Sequence, residues 1–392
     1  MTNAPRWRWA TVATIAGCVF LTSTMRMCDW HAAADKPIVR IPGEWDVGVI
    51  VAARLSPDGK VLALQGLATG RRPVADRTAI WFLQVDDRRV IARTSPGWTC
   101  HLPNWADGGG YSMLALEPDK VSGPYWTRSP TRVPTLLLDV GGVAARATDA
   151  IVDPAAGWAV LVLPEQRSRT KWSFAVYALP IRQDLVARRI AQGLTITGAL
   201  GLVRYPGKRT MELAMLVGSP QGCDALEVIL VDLASGRIRG EIPLGIPLGI
   251  VWPACRYGPE ELLLPVEPLD PHSGTQILKV DLAKGTSECI VVVPDSYTFL
   301  TTLLTPDGPR TFMGGRSNVW EIAVSPERKF VKEVVLGGGA VSPAGVRVGK
   351  DGVEVLMHGS RQVWRCLLRS RRVELLIGEP GGRDVPQIPL LR

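Results

Sequence analysis

The four histidines of this chain lack the spacing of a metal-binding or catalytic centre. His31, His101, His272 and His358 lie far apart, so no two of them form the His-x-x-x-His pair typical of zinc ligands on one element. The sequence Gly-x-Ser-x-Gly, which places a serine nucleophile on a sharp turn in α/β-hydrolases, does not occur. We therefore predict that the chain is not an enzyme and that it holds no metal and no cofactor.

Cysteines and glycines give no stronger signal of a ligand site. The chain has 7 cysteines, and none of them belongs to a Cys-x-x-Cys pair. Gly108–Gly110 and Gly337–Gly339 are glycine triplets, but neither is followed by the Lys-Ser or Lys-Thr of a phosphate-binding loop. Both triplets predict tight connections between strands.

Arginine and lysine residues recur in a set of predicted exposed turns and their flanks. These segments account for most of the formal net charge of the chain, which is +8. The residues are Arg188, Arg189, Arg237, Arg239, Arg328, Lys329, Arg369, Arg371 and Arg372. Such a basic surface favours binding to an anionic membrane or to an acidic protein partner. Basic residues also keep edge strands from pairing with other molecules, so the pattern has a structural explanation too.

A duplicated segment indicates the elements that carry these residues. Val231–Gly236 and Val280–Gly285 begin 49 residues apart, and both read Val-Asp-Leu-Ala-x-Gly between runs of apolar residues. A second pair, Ser56–Gly59 and Thr305–Gly308, shares the sequence Pro-Asp-Gly, which is typical of a type I turn between antiparallel strands. The repeats predict hairpins at a spacing of about 50 residues, the length of one four-stranded propeller blade.

The predicted fold is all-β. Glycine (40 residues) and proline (31 residues) interrupt the chain often, which favours short strands over long helices. Residues 45–378 would form a β-propeller of about seven four-stranded blades, with six or eight as alternatives. Residues 379–392 would form a C-terminal tail.

The turn and hairpin sequences resemble those of TolB-like and WD-repeat-like bacterial β-propeller repeat proteins. In those repeats a Ser-Pro-Asp-Gly-Lys turn leads into an apolar strand, as at Ser56–Lys60, and a Val-Asp-Leu-x-x-Gly hairpin ends the blade. No Trp-Asp pair closes a predicted blade here, so the WD-repeat family proper is not supported. The resemblance implies a fold rather than a task.

The N-terminal segment 1–34 is predicted to be a signal peptide or a membrane anchor. Arg6 and Arg8 precede an uncharged apolar span that runs from Trp9 to Met25. Cleavage after Ala34, an uncleaved anchor and lipidation of Cys18 in a lipobox-like sequence remain three alternatives. Each alternative predicts an exported protein, membrane-anchored or else periplasmic or extracellular. Residues 35–44 would form a tether.

Three tryptophans lie in loop-like sequence around the second predicted unit. Trp98, Trp105 and Trp126 are flanked by proline or glycine, so they either form an exposed cluster that binds a sugar or peptide, or pack on the end of the propeller. Trp81, Trp320 and Trp364 lie in strand patterns and are predicted to pack in the core.

These observations together predict a noncatalytic β-propeller that acts as a protein-interaction scaffold. Protein partners are expected, an anionic membrane surface is a further candidate, and no nucleic acid is expected. The alternatives are a propeller that binds a small ligand or carbohydrate, and a propeller enzyme with an active site in its central funnel.

Overall fold

The computed structural model describes residues 45–389 except for short gaps. The gaps are residues 72–76, 95–98, 101–103, 106–110, 117–120, 128–134, 137–148, 154–157, 168–171, 181–187, 205–210, 219–225, 233–234, 236, 246–248, 252–254, 259, 269–273, 326–327, 339–340 and 380–384. Side chains in 95–226 are described only at Trp105 and Val160, and those of 249–251, 256 and 324–329 are not described. The predicted signal or anchor segment, the tether and Cys18 lie outside the described residues.

The first half of the described chain forms three antiparallel sheets. The first sheet contains β1 (Val47–Leu55), β2 (Val61–Ala68), β3 (Thr78–Gln84) and β4 (Arg89–Arg93). The second contains β5 (Thr99–Cys100), β6 (Asn104–Trp105), β7 (Tyr111–Leu116), β8 (Val121–Thr127) and β9 (Thr135–Leu136). The third contains β10 (Asp149–Asp153), β11 (Trp158–Arg167), β12 (Trp172–Pro180), β13 (Arg188–Arg204), β14 (Met211–Gly218), β15 (Leu226–Asp232) and β16 (Ile238–Pro243).

The second half forms three further sheets. The fourth contains β17 (Gly249–Val251), β18 (Cys255–Arg256), β19 (Glu261–Pro268), β20 (Thr275–Asp281) and β21 (Thr286–Val293). The fifth contains β22 (Phe299–Thr305), β23 (Gly308–Gly314), β24 (Asn318–Ser325) and β25 (Arg328–Leu336). The last contains β26 (Ser342–Gly349), β27 (Gly352–His358), β28 (Val363–Leu367) and β29 (Arg372–Ile377).

The all-β prediction is confirmed, since the described residues contain no α-helix. Accordingly, none of the residues that the structure describes belongs to a helix with the length and apolar character needed to cross a membrane. Nearly every strand pairs with the next strand in sequence, as in a series of β-meanders. The longest strand, β13, pairs with β12 through its first part and with β14 through its second part.

The duplicated segment forms the same hairpin twice, as predicted. Asp232 ends β15 and accepts hydrogen bonds from the Ser235 amide (2.8 Å) and hydroxyl (3.0 Å). Asp281 ends β20 and accepts hydrogen bonds from the amides of Ala283 (3.1 Å) and Lys284 (2.9 Å). The aspartate thus satisfies backbone donors of the turn that follows it, which explains the aspartate at this position of both copies.

The Ser-Pro-Asp-Gly turn joins β1 to β2, again as predicted. The Ser56 hydroxyl accepts a hydrogen bond from the amide of Val61 (2.9 Å) and donates one to Asp58 (2.6 Å). Gly59 has a positive φ of 69°, a conformation that favours glycine. The second copy, at Thr305–Gly308, joins β22 to β23 in the same way but through a shorter turn.

Apolar cores lie between consecutive sheets rather than within one sheet. One cluster joins Val228 and Leu230 of β15 to Leu262 and Leu264 of β19. Another joins the fully buried Trp81 of β3 and other residues of the first sheet to residues of the last sheet. Each sheet therefore depends on its neighbours for burial, which is the packing that a propeller requires.

An aspartate that precedes the first strand of a sheet fixes a tryptophan of the third strand. In the first sheet Asp46 accepts the indole N–H of Trp81 (2.9 Å) and a hydrogen bond from Arg93. In the fifth sheet Asp295 accepts the indole N–H of Trp320 (3.1 Å). The two sheets therefore repeat one tertiary hydrogen bond as well as one strand order.

We predict that Asp46→Ala lowers the free energy of unfolding by about 3 kcal/mol, because the variant leaves Arg93 buried without its carboxylate partner. The side chain of Arg93 is only 7% exposed. Urea denaturation measures this change. Asp307→Ala, in an exposed turn, is the control and should change the free energy by no more than about 0.5 kcal/mol. Equal effects of the two substitutions would contradict this role of Asp46.

Candidate functional site

The predicted basic residues lie at the beginning of four strands or in the turns that lead into them. Arg188 and Arg189 begin β13, Arg237 and Arg239 lie at the start of β16, Arg328 and Lys329 begin β25, and Arg369, Arg371 and Arg372 lie at the turn into β29. Arg188 and Arg189 are strand residues rather than turn residues, because they pair with Ala178 and Tyr177 of β12.

The basic residues with described side chains differ in their partners. Arg239 binds the carboxylate of Asp232 (3.1 Å), and Arg372 lies 3.4 Å from Glu374. Hydrogen bonds from Ser235 hold the pKa of Asp232 below its usual value, so this carboxylate stays charged beside Arg239. The exposed residues Arg237, Arg369 and Arg371 have no ion-pair partner among the described residues.

A shallow groove of about 630 Å³ lies on the β15–β16 hairpin. It is lined by Asp232, Ser235, Arg237, Ile238 and Arg239. Asp232 already accepts hydrogen bonds from the Ser235 amide and from Arg239, so most polar groups of this groove bind one another within the hairpin. The groove is therefore a weaker candidate for a ligand site than the surface formed by the first strands, described below.

The first and last sheets meet through backbone hydrogen bonds, and we call this contact the first–last joint. The amide of Ile50 in β1 donates to the carbonyl of Ser360, which follows β27 (2.7 Å). The side chain of Arg361 donates to the carbonyl of Gly48 (2.8 Å). Residues at opposite ends of the described sequence thus share one backbone–backbone hydrogen bond and one bond from a side chain to a carbonyl.

Arg347 of β26 is the main charged residue of the joint. Its side chain is only 7% exposed and donates to the carbonyl of Gly59 (3.0 Å) and to Asp86 (2.7 Å), both from the first sheet. It also donates to Glu354 of the last sheet (2.8 Å). The hydrogen bond from Arg347 lowers the pKa of Asp86. A buried guanidinium is costly without anionic partners, so both sheets are needed to hold Arg347.

Glu374 of β29 forms the second charged contact of the joint. It accepts hydrogen bonds from Arg88 of the first sheet (2.9 Å) and from Arg365 of the last sheet (2.6 Å). The hydrogen bond from Arg365 is the main reason why the pKa of Glu374 lies below its usual value. Glu374 therefore stays charged under mildly acidic conditions and keeps both arginines paired.

Two glycines permit the close approach of the sheets at the joint. A Cβ atom on Gly345 (φ 154°) would lie 2.5 Å from the Cβ of Leu55, and one on Gly59 would lie 2.8 Å from the Cβ of Arg347. Neither distance is tolerated between real side chains. The contact of β26 with β1 thus depends on residues that have no side chain.

First strands of consecutive sheets lie side by side. β18 contacts β22, β22 contacts β26, and β26 contacts β1. The first–last joint therefore completes a row of first strands that runs from the fourth sheet to the first.

Exposed apolar side chains occur on this row. Val49 and Val51 of β1, Leu304 of β22 and Val348 of β26 are exposed, and we call these four residues the inner apolar surface. The other exposed large apolar residues of the described part are Ile238, Val292, Phe330 and Val385, which lie on outer strands or in the C-terminal segment. Exposed apolar side chains on neighbouring strands favour a binding surface.

Polar groups lie where the fourth and fifth sheets meet this row. Tyr297 is buried, and burial raises the pKa of its phenol, while the positive charge of Arg54 on β1 acts in the opposite direction. The Cys255 thiol lies 3.9 Å from the hydroxyl of Thr302, which is 3.0 Å from that of Thr311. Burial also raises the pKa of Cys255, so its thiol stays protonated at neutral pH. This region therefore contains neutral polar groups that interact within the protein, with the exposed Arg54 of β1 beside them.

The described titratable residues do not assemble a nucleophile or a metal centre. His358 is buried, its Nδ1 lies 3.3 Å from the carbonyl of Gly359, and burial lowers its pKa. Burial raises the pKa of the Cys366 thiol to about 12, so this cysteine is not a thiolate at neutral pH. No group of three or more His, Cys, Asp and Glu residues that could hold a metal ion occurs in the part of the chain that the structure describes.

The predicted loop tryptophans are partly strand residues. Trp105 lies in β6, paired with Tyr111, and its ring contacts Phe82 edge to face with the ring centres 6.3 Å apart. Its indole N–H lies 3.4 Å from the carbonyl of Arg54. Packing against the first sheet therefore accounts for Trp105 without a bound sugar. Trp126 lies in β8, and Trp98 lies outside the described residues.

Comparison with solved structures shows that the chain is similar to β-propeller proteins. A puromycin-hydrolyzing peptidase of Mycobacterium tuberculosis matches 88% of this chain and 57% of its own length, with 16% identity and a TM-score of 0.54. A puromycin hydrolase matches 86% of this chain and 55% of its own, with 14% identity and a TM-score of 0.53. The Dos1 propeller matches 89% of this chain and 88% of its own, with 10% identity and a TM-score of 0.48.

This chain spans little more than half the length of the two hydrolases. No protein-family model matches the sequence, and no curated protein matches it. At this level of identity the comparison shows the propeller fold and does not separate TolB-like repeats from other propeller families.

The prediction of a noncatalytic interaction scaffold is contradicted by this comparison, and so is the prediction that the chain is not an enzyme. Solved structures that match with TM-scores above 0.5 include a puromycin-hydrolyzing peptidase and a puromycin hydrolase. The prediction was based on missing sequence motifs. A propeller enzyme draws its groups from several sheets, however, and such groups have no fixed spacing in the sequence.

We predict that Glu374→Gln reduces the acid sensitivity of the fold. The pKa of Glu374 is lowered from its ordinary value of 4.5, so the stability that it contributes is present above that pH and is lost as the pH falls through the lower, folded-state pKa. The variant should be less stable than the wild type near neutral pH and should lose less stability on acidification. Urea denaturation at about pH 6 and about pH 3 measures the difference.

The exposed Glu241→Gln serves as the matched control for this experiment, and it should follow the wild type at both pH values. If Glu374→Gln lost as much stability on acidification as the wild type, Glu374 would not hold the joint in its charged form.

Proposed function

We propose that this chain is an enzyme-type β-propeller whose inner apolar surface binds an apolar, peptide-like substrate. The proposal is carried by the exposure of Val49, Val51, Leu304 and Val348 on three neighbouring first strands. Burying one such side chain against a ligand is worth about 1.5–3 kcal/mol, so a few of them supply a useful binding energy. The propeller enzymes that resemble the chain are named as a peptidase and a puromycin hydrolase, which supports the substrate class.

The polar groups next to this surface suit a peptide-like ligand. Thr302 lies on β22, the strand that also carries Leu304, and Arg54 lies on β1 with Val51. The Thr302 hydroxyl lies within hydrogen-bonding distance of Thr311, and because a hydroxyl can both donate and accept, it can also pair with an amide group of a peptide while the apolar residues cover the peptide's side chains.

The chemical step is assigned to groups other than the described histidine and buried cysteine. His358 is buried against the carbonyl of Gly359, and Cys366 is a protonated thiol. We infer that the first strands bind and position the substrate and that the catalytic groups come from residues outside the described part or from another chain.

We further infer that the sheets form a closed ring of seven blades. The two parts of β13 belong to two successive four-stranded units, and the short strands β5 with β6, and β17 with β18, each form one interrupted first strand. Counted in this way the strands make seven units. Apolar cores between sheets and the first–last joint support closure, because an open array would leave an unpaired apolar face.

The resemblance to TolB-like repeats and the location of the protein remain proposals. The turn at Ser56–Lys60 and the duplicated hairpin support the resemblance. The apolar span from Trp9 to Met25 supports export of residues 45–378 to the outer side of a membrane, where the protein is anchored or released.

We predict that Val51→Asp weakens the binding of an apolar dipeptide amide at least about tenfold, because the new carboxylate would have to be desolvated against the ligand. Val51 is 65% exposed, so the substitution leaves the core intact. Isothermal titration calorimetry with the purified protein measures the affinity.

The matched control is Val292→Asp, an equally small exposed valine on the outer strand β21, 46% exposed. This variant should bind like the wild type. If the wild type bound no apolar peptide amide, or if both variants lost affinity equally, the inner apolar surface would not be the substrate site.

A further inference from the structure

Two arginines adopt a left-handed backbone conformation at the same position of equivalent turns. Arg88 (φ 53°) is the last residue of the turn between β3 and β4, and Arg371 (φ 55°) is the last residue of the turn between β28 and β29. In the duplicated hairpin this position holds Gly285, whose φ is 66°. The conformation is unfavourable for any residue with a Cβ atom, so the two arginines occupy a position that suits glycine better.

The structure explains one of these arginines and leaves the other without an internal role. Arg88 pairs with Glu374 across the first–last joint at 2.9 Å. Arg371 is exposed and has no ion-pair partner within the part of the chain that the structure describes. Unfavourable backbone conformations that no internal contact accounts for tend to occur at functional surfaces.

Other unpaired cations lie next to Arg371. Arg369 belongs to the same turn, and its Cβ lies 3.9 Å from the place of a Cβ on Gly352, so this turn contacts the turn between β26 and β27. That second turn carries the exposed Lys350. The positive charge of Lys350 helps to lower the pKa of Asp86 in the first sheet. Lys350, Arg369 and Arg371 together form what we call the last-sheet basic surface.

We propose that the last-sheet basic surface binds an acidic segment of a protein partner. Guanidinium groups pair well with carboxylates because two parallel N–H···O hydrogen bonds can form, and two of the three residues are arginines. The exposed Asp351 follows Lys350 in its turn, so the surface carries three cations and one carboxylate. Three other carboxylates on this side of the joint, Asp86, Glu354 and Glu374, are already paired with arginines of the protein. They fix the turns and leave the three cations available to a partner.

The direction of β1 favours a protein partner over a membrane. The described chain begins beside β1 at Trp45, whereas the turns of the basic surface lie near Gly59, beyond the other end of β1. The N-terminal end of the described chain therefore lies at the face of the sheets opposite to the basic surface. An anionic membrane is the competing partner that the experiment must separate.

The test uses Arg371→Gly. This substitution removes the positive charge and places a glycine at a position whose backbone conformation is unfavourable for other residues. Glycine accepts the left-handed conformation, so the thermal unfolding midpoint should stay the same or rise. Binding of a fluorescently labelled oligoglutamate peptide to the full chain, followed by anisotropy, should weaken about tenfold, the loss expected for one charge-assisted pair. Affinity of the wild type should also fall as salt is added.

The control is Arg316→Ala, which removes an exposed arginine from the turn between β23 and β24, on the opposite face of the sheets. It should leave peptide binding unchanged. The proposal is overturned if the wild type does not bind oligoglutamate, if both variants weaken binding equally, or if Arg371→Gly lowers the unfolding midpoint. Stronger binding to phosphatidylserine-containing vesicles than to the peptide would assign the surface to a membrane and overturn it as well.

Discussion

The contact between the first and last sheets is the constraint on which the rest of this structure depends. Arg347 is buried and satisfied only when Gly59 and Asp86 of one sheet and Glu354 of the other surround it. Without the first sheet, Arg347 would lose its hydrogen bonds to the Gly59 carbonyl and to Asp86 and would keep only Glu354, a loss that costs more than an exposed ion pair contributes. The apolar cluster around Trp81 also spans the contact between the first and last sheets. Ion pairing and apolar burial therefore favour the same arrangement of these two sheets.

The joint also determines which strands can act together. By holding β26 against β1, it places Val348 on a strand next to the one that carries Val49 and Val51. Neighbouring first strands then expose apolar side chains, whereas the second and third strands of the sheets bury theirs in the apolar clusters between sheets. The inner apolar surface thus depends on the contact between the first and last sheets, and so does the substrate site proposed for it.

Local elements could be predicted from the sequence, whereas the joint and the site could not. The duplicated hairpins were predictable because Asp232 and Asp281 bind amides within three residues. Strand β8 was missed because it contains Pro124, which weakens a strand pattern although the strand pairs with β7. The hydrogen bond from Arg347 to Gly59 joins residues 288 positions apart, and no periodicity or motif records such a contact. Function was misjudged for the same reason, since sites assembled across sheets have no local sequence pattern.

Amide hydrogen exchange with and without a bound apolar dipeptide amide tests the central claim most directly, because it reports which strands the ligand stabilises. Our account predicts slower exchange at Val49 and Val51 of β1 and at Val348 of β26, with the outer strand β21 unchanged. Protection confined to outer strands, or none at the first strands when the ligand is saturating, would contradict the assignment of the inner apolar surface as the substrate site.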